Sequence, residues 1–160
     1  MRAPISAVSL LLCVAATLPA QPLDPARLLQ PLADNWPIFN GDYSGRRYSQ
    51  LKQIDSSNVK NLGMAWVART DVGSGGSPFG VQIKGTPLMV DGILYVTMPD
   101  HAWALDARTG REIWHFRWET KGGIHIGNRG AAIYRNSVYF ETPDNYLICL
   151  NKVTGKLRWS

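Results

Sequence analysis

The residue whose type and position best suit ligand binding is Arg129, which stands between Asn128 and Gly130. A guanidinium binds a carboxylate through two parallel hydrogen bonds and stays charged at any working pH. The glycine beside it would let the backbone approach a bulky planar ligand closely. We therefore predict an anion-binding position at Arg129. The alternative is an ordinary strand arginine that pairs with a surface acid.

Other kinds of catalytic centre leave no pattern in this sequence. His101, His115 and His125 share no short spacing, so we predict no metal site from them. No Cys-x-x-Cys-His occurs, which excludes covalent c-type haem within this stretch. The sequence also contains no P-loop, no dinucleotide-binding glycine fingerprint and no Ser/His/Asp constellation. We assign no catalytic residue.

An internal repeat supplies the elements that would position Arg129. Residues 86–114 resemble residues 130–159, and Thr109-Gly110 of the first copy falls on Thr154-Gly155 of the second, 45 positions later. A partial earlier copy ends at Trp66. Each full copy predicts four short strands of β-branched and aromatic residues. The predicted strands are 88–90, 93–97, 103–106 and 111–116 in the first copy, with 146–151 and 156–159 closing the second.

The predicted turns support this division into strands. Asp91-Gly92 is a strong hairpin signal between the first two strands. In the second copy Arg135-Asn136 takes its place, and we expect Asn136 to adopt the positive φ there. Four-stranded antiparallel units that repeat at this period are typical of β-propeller blades, and a sandwich is the alternative. The fold class is therefore all-β.

The number of repeats is small for a closed ring. A blade must cover both of its faces with neighbouring blades. A ring of six to eight blades takes roughly 270–360 residues at about 45 per blade, whereas this chain has 160. We expect the chain to be the N-terminal part of a longer protein. Its blades would span 36–84 (partial), 85–116 and 130–160.

Several segments together resemble one family. Residues 104–114 (ALDARTGREIW) look like the tryptophan-docking repeat of the pyrroloquinoline quinone (PQQ)-dependent alcohol dehydrogenases, and residues 149–159 (CLNKVTGKLRW) look like a weaker copy. Residues 36–48 (WPIFNGDYSGRRY) and the Asn-Arg-Gly at 128–130 resemble the same enzymes. The resemblance covers residues 36–160. It implies that Trp66, Trp114 and Trp159 are core residues, since a flat indole can stack against the next blade.

The resemblance implies an eight-bladed ring that holds PQQ in a central funnel with Ca²⁺ or a lanthanide ion. The enzymes oxidise an alcohol or a sugar and pass electrons to an acceptor such as a cytochrome c or a quinone. In the family the metal ligands and the catalytic Asp come from later blades. They would lie beyond Ser160, so we assign no metal ligand here. Arg129 matches the family's cofactor-contacting arginine.

Two positions depart from the family pattern. Lys84 stands where the family often has a glutamate that contacts the cofactor. An ammonium can pair with a PQQ carboxylate, so Lys84 is a candidate cofactor-binding residue, with a solvated edge lysine as the alternative. Gly123-Ile124 occupies the place of adjacent cysteines that form a disulfide over the cofactor in many members. Loss of that cap puts methanol-type specificity in doubt and leaves a divergent or sugar-type dehydrogenase open.

The N-terminus and the charge balance set the expected location. Residues 1–20 combine Arg2 with an apolar stretch and end in Pro-Ala, which is typical of a secretory signal peptide; an ordinary hydrophobic helix is the alternative. Residues 21–35 would form a leader arm, mobile or with one short helix around 26–32. We expect a periplasmic protein. The chain has no apolar run of 18 residues, so no transmembrane span is expected.

The net charge of +5 is scattered along the chain and implies no nucleic-acid partner. Two functions remain open for the full-length protein. The first is an exported quinoprotein dehydrogenase, of which this part alone would be inactive. The second is a non-catalytic propeller of the same repeats that binds proteins in envelope assembly. Three features favour the first. Leu12 stands before Cys13 where a lipoprotein signal needs a small residue, residues 36–48 resemble the dehydrogenases, and Arg129 matches their cofactor-contacting arginine.

Overall fold

The computed structural model describes residues 22–70, 83–121 and 128–160. Residues 1–21, which hold the predicted signal peptide, lie outside that part. In the described ranges the secondary structure is two short 3-10 helices, Pro25–Leu29 and Val59–Asn61, and eight strands. The strands are β1 Leu88–Val90, β2 Ile93–Met98, β3 His101–Asp106, β4 Glu112–Arg117, β5 Ala132–Tyr134, β6 Ser137–Glu141, β7 Leu147–Asn151 and β8 Leu157–Trp159. None of the described helices could cross a membrane.

The strands form two four-stranded antiparallel sheets in simple sequence order, β1-β2-β3-β4 and β5-β6-β7-β8. We call them the first and the second blade. The prediction of two four-stranded units is confirmed, and the strand ends agree with the predicted ones to within two residues. A register shift in the outer pair falls at Ala104/Leu105 in the first blade and at Cys149/Leu150 in the second. The two blades thus share the position of the irregularity in their strand pairing as well as the order of their strands.

The hairpin turns differ between the blades. Asp91 and Gly92 both have positive φ, 52° and 76°, as the sequence predicts for a tight hairpin. In the second blade the positive φ of 50° belongs to Arg135, so the prediction for Asn136 is wrong. A tertiary contact accompanies this conformation, because the Leu23 backbone N–H donates to the Arg135 carbonyl at 3.1 Å.

One apolar core joins the two blades. It is built from side chains on facing sides of the sheets, and Phe116 meets Phe140 edge to face with ring centroids 6.1 Å apart. The buried members are Leu23, Leu88, Val90, Tyr95, Ala102, Ala104, Trp114, Ile133, Val138, Phe140, Ile148 and Leu150. Because both sheets contribute, each blade buries the face that the other would expose.

Each docked tryptophan lies over the Thr-Gly turn of the following blade. The Trp66 indole Nε1 donates to the Ala107 carbonyl at 3.2 Å, and the Trp114 Nε1 donates to the Lys152 carbonyl at 3.0 Å. The prediction of a core residue is confirmed for Trp114, which is buried, whereas Trp66 is half-buried against the turn. Trp159 is 49% exposed, so the prediction that it is a core residue is wrong for this structure: within the described ranges no further turn covers it.

The leader packs against both blades. Leu23 is 2% exposed and belongs to the common core, and the short helix begins directly after Asp24, whose carboxylate accepts from the Ala26 backbone N–H at 2.9 Å. Arg27 forms a salt bridge with Asp91 of the first blade at 3.0 Å. Lys152 of the second blade, with a side chain 1% exposed, lies 3.9 Å from the other oxygen of the same carboxylate. Asp91 therefore links the leader and both blades.

Candidate functional site

The segments that lead into β1 and β5, the innermost strands of the two blades, approach each other at two glycines. A Cβ placed on Gly85 would lie 2.7 Å from the Cα of Gly130 and 3.2 Å from the carbonyl carbon of Arg129. No side chain fits in that space. Lys84 and Arg129, the two candidate cofactor residues, each precede one of these glycines. The structure therefore brings them together, one from each blade, at a single backbone crossing.

The glycine beside Arg129 is needed for a different reason from the one predicted from the sequence. Gly130 has φ 118°, and a Cβ there would lie 3.2 Å from the Thr86 carbonyl oxygen. The small residue is therefore required by the neighbouring strand and by its own backbone conformation. The close approach that the sequence predicted for a ligand is made by the backbone of the first blade.

The side chain of Asn128 holds this crossing in place. Its Oδ1 accepts from the Thr97 hydroxyl at 2.6 Å and from the Gly130 backbone N–H at 3.2 Å. Its Nδ2 donates to the carbonyls of Met98 at 3.2 Å and Glu141 at 3.3 Å. The sequence indicates Asn128 only as part of the Asn-Arg-Gly motif and gives no sign of Thr97, because the two residues lie 31 positions apart and meet only across the blades.

Both cations at the crossing are available to a ligand. Lys84 and Arg129 are exposed, and within the described ranges neither has an ion-pair or hydrogen-bond partner. Two exposed cations on backbone segments that lie this close suit a ligand that carries several carboxylates. The donor set of this part of the chain therefore suits PQQ. No group of three or more His, Cys, Asp or Glu that could hold a metal ion occurs in the described ranges.

A histidine pair that spacing did not predict lies on the first blade. His101 Nδ1 and His115 Nε2 are 2.8 Å apart, and the His115 ring stacks on Trp103 with centroids 4.5 Å apart. Burial and the neighbouring His115 lower the pKa of His101 to about 4, and burial lowers the pKa of His115. Both rings are therefore neutral at pH 7 and share one hydrogen bond. The pairing of β3 with β4 explains the contact, because this register places His115 opposite Trp103.

Gly123 and Ile124, at the position of the family's disulfide cap, and His125 lie outside the described residues. Cys149 is buried in β7 and is a free thiol.

Comparison with known proteins assigns the architecture. The family model described as the glucose/ethanol/alcohol dehydrogenase beta-propeller domain, named for PQQ, matches residues 36–160. The chain belongs to this family. The dehydrogenase subunit of a quinone-type alcohol dehydrogenase from Gluconacetobacter polyoxogenes is 40% identical over 136 residues, covering 79% of this chain and 17% of that protein.

Solved structures of PQQ dehydrogenases agree with the arrangement of the blades. The quinohemoprotein alcohol dehydrogenase ADHIIG of Pseudomonas putida superposes with a TM-score of 0.76 at 32% identity, covering 89% of this chain and 21% of that one. The quinohemoprotein alcohol dehydrogenase of Comamonas testosteroni gives 0.70 at 34% identity, covering 86% and 21%. The two four-stranded sheets are thus blades of a PQQ dehydrogenase propeller, and the chain spans about a fifth of the length of these relatives.

Proposed function

We propose that this chain is the N-terminal part of an exported PQQ-dependent dehydrogenase that oxidises an alcohol or a sugar. The observation that carries the proposal is the close backbone contact of Gly85 with Gly130, because the residue before each glycine is an exposed cation, Lys84 or Arg129. Membership of the PQQ dehydrogenase family supports the choice of cofactor.

The chain's own contribution is to bind and orient the cofactor. The Arg129 guanidinium would bind a carboxylate of PQQ through paired hydrogen bonds, and Lys84 would add a single charged donor from the first blade. When bound, PQQ supplies an orthoquinone that accepts hydride from the substrate, with Ca²⁺ or a lanthanide ion as the Lewis acid. The metal ligands and the proton-abstracting carboxylate would come from blades outside this chain. We propose a cytochrome c or a quinone as the electron acceptor.

Reconstitution tests this function directly. The full-length protein would be produced without PQQ and titrated with PQQ plus Ca²⁺ or La³⁺. Binding would be followed by quenching of tryptophan fluorescence, and activity with a panel of alcohols and sugars and an artificial dye. We expect saturable PQQ binding and dye reduction with at least one substrate. Absence of PQQ binding with either ion would reject the dehydrogenase and leave the protein-binding propeller.

Export has its own test. We propose that residues 1–20 are removed and that the protein is periplasmic. N-terminal sequencing of the protein from a periplasmic fraction should begin within a few residues of Gln21. A mature protein that retains Met1 and stays in the cytoplasmic fraction would reject export. The proposal that the protein binds PQQ would not be affected.

A further inference from the structure

We infer that Asn128 is a positioning residue for Arg129, and that its amide fixes the arginine's place relative to the first blade before a ligand arrives. The inference rests on the proposed function, because it concerns the residue proposed to bind a PQQ carboxylate. Asn128 itself is expected to touch no ligand. It acts through the backbone on either side of Arg129.

The amide of Asn128 uses its full hydrogen-bonding capacity. An asparagine side chain offers two donors and two acceptor positions. Here the two donors bond to Met98 and Glu141, and the two acceptor positions bond to Thr97 and Gly130. The orientation of the amide is fixed by chemistry, since a flipped amide would point its donors at the Gly130 N–H and its oxygen at two carbonyls.

The four partners come from both blades. Thr97 and Met98 end β2 of the first blade, whereas Glu141 ends β6 of the second. Thr97 is buried, so its hydroxyl gives a rigid reference point. A single side chain therefore ties the start of the second blade's innermost strand to the strand that runs beside β1.

Arg129 is held on its other side as well. The N–H of Gly130 bonds to the same amide, and the Cα of Gly130 packs against Gly85. The backbone of Arg129 is thus fixed by residues 128 and 130, while its side chain stays exposed and free of ion pairs in the described ranges. An arginine on a fixed backbone loses less conformational freedom on binding than one on a mobile loop. Removal of the amide should therefore weaken carboxylate binding although the charge is retained.

The test is a double-mutant cycle on the full-length apoprotein with PQQ as the ligand. Four proteins are compared: the wild type, Asn128→Ala, Arg129→Ala and the double variant. The readout is the PQQ dissociation constant from fluorescence titration, which requires no turnover. We expect Asn128→Ala to raise the PQQ dissociation constant about threefold to tenfold when Arg129 is present. In the Arg129→Ala background the same change should have almost no effect.

Equal weakening by Asn128→Ala in both backgrounds would overturn the inference, because a purely structural asparagine acts without reference to Arg129. An unchanged dissociation constant in folded Asn128→Ala would overturn it as well.

If Asn128→Ala does not fold, Thr97→Val removes one of the four hydrogen bonds at constant shape, and the same cycle applies. A wild-type protein that fails to bind PQQ would reject the proposed function and this inference with it. A protein that binds PQQ without coupling between residues 128 and 129 rejects the inference alone.

Discussion

The indole of Trp114 lies directly over Gly155, so that a Cβ on this glycine would be 2.7 Å from the ring carbon Cδ2. Trp114 lies in β4, the outer strand of the first blade, and Gly155 belongs to the Thr-Gly turn of the second. Trp66 and Gly110 repeat the relationship one blade earlier, where a Cβ on Gly110 would clash with the Trp66 indole. Each glycine therefore serves a turn of positive φ and a docking site at the same time.

Gly155→Ala should destabilise the protein more than Gly92→Ala. Both glycines have positive φ, 67° and 76°, so alanine costs about 1–2 kcal/mol of backbone strain at either position. Gly92 has open space around it, whereas Gly155 faces the indole. Overpacking against Trp114 should add about 1–3 kcal/mol. Urea denaturation of the two variants measures the difference, and equal losses would show that the indole does not constrain the turn.

Asp91→Asn should cost more free energy of unfolding than Lys152→Met. The first variant leaves the ammonium of Lys152 buried without the carboxylate, and the second replaces the buried charge with an apolar side chain of similar length. Because Asp91 is partly exposed, we expect its loss to fall between the roughly 1 kcal/mol of a surface pair and the 3–5 kcal/mol of a fully buried one.

Arg27→Ala is the matched control for this network. It removes the exposed partner of Asp91 and should cost about 1 kcal/mol or less. Chemical denaturation of the three variants ranks them. If Lys152→Met proves as costly as Asp91→Asn, the buried ammonium contributes through contacts other than this carboxylate.

The histidine pair predicts acid instability. Burial and the neighbouring His115 hold the pKa of His101 at about 4, below its usual 6.5; Arg117 acts in the same direction, and Asp100 and Glu119 oppose it. Between these two values the unfolded chain binds a proton that the folded chain does not. The free energy of unfolding should therefore fall from about pH 6.5 to about pH 4, by up to about 1.4 kcal/mol per pH unit.

His101→Gln isolates this contribution, because glutamine does not titrate. Thermal unfolding of the wild type and the variant across pH 4 to 7 should show a flatter dependence in the variant. Parallel curves would mean that His101 is protonated in the folded protein at the same pH as in the unfolded one.

Arg129→Ala in the full-length protein should raise the dissociation constant of PQQ about 10-fold to 150-fold, since a hydrogen bond to a charged group contributes about 1.5–3 kcal/mol. Arg129→Lys should recover only part of the loss, because an ammonium lacks the paired donors. Arg158→Ala is the control, since it removes an equal charge from the exposed outer strand β8. Unchanged PQQ affinity in folded Arg129→Ala would reject the assignment.

Local sequence determined the strands and most of the turns. Asp106 shows why: its carboxylate accepts from the backbone N–H groups of Arg108 and Thr109 at 3.0 Å, and Asn151 repeats the pattern with Val153 and Thr154. Because such turns form between residues a few positions apart, the residue types in that short segment predict the turn. The same holds for Asp91-Gly92. The repeat predicted that an innermost strand begins near Arg129, and β5 begins three residues later, at Ala132.

Tertiary structure decided which distant residues meet. Leu23 of the leader is buried against the second blade, and no local sequence pattern indicates this. Leu23 pairs with Arg135, and Arg135 has the positive φ that the sequence predicted for Asn136. The pairing of His101 with His115 depends on strand register. The bond from Thr97 to Asn128 depends on how two blades pack. Local residue preferences specify the strands and turns within each blade. The contacts between blades depend on how side chains from separate sheets pack together, and this packing exists only in the folded chain.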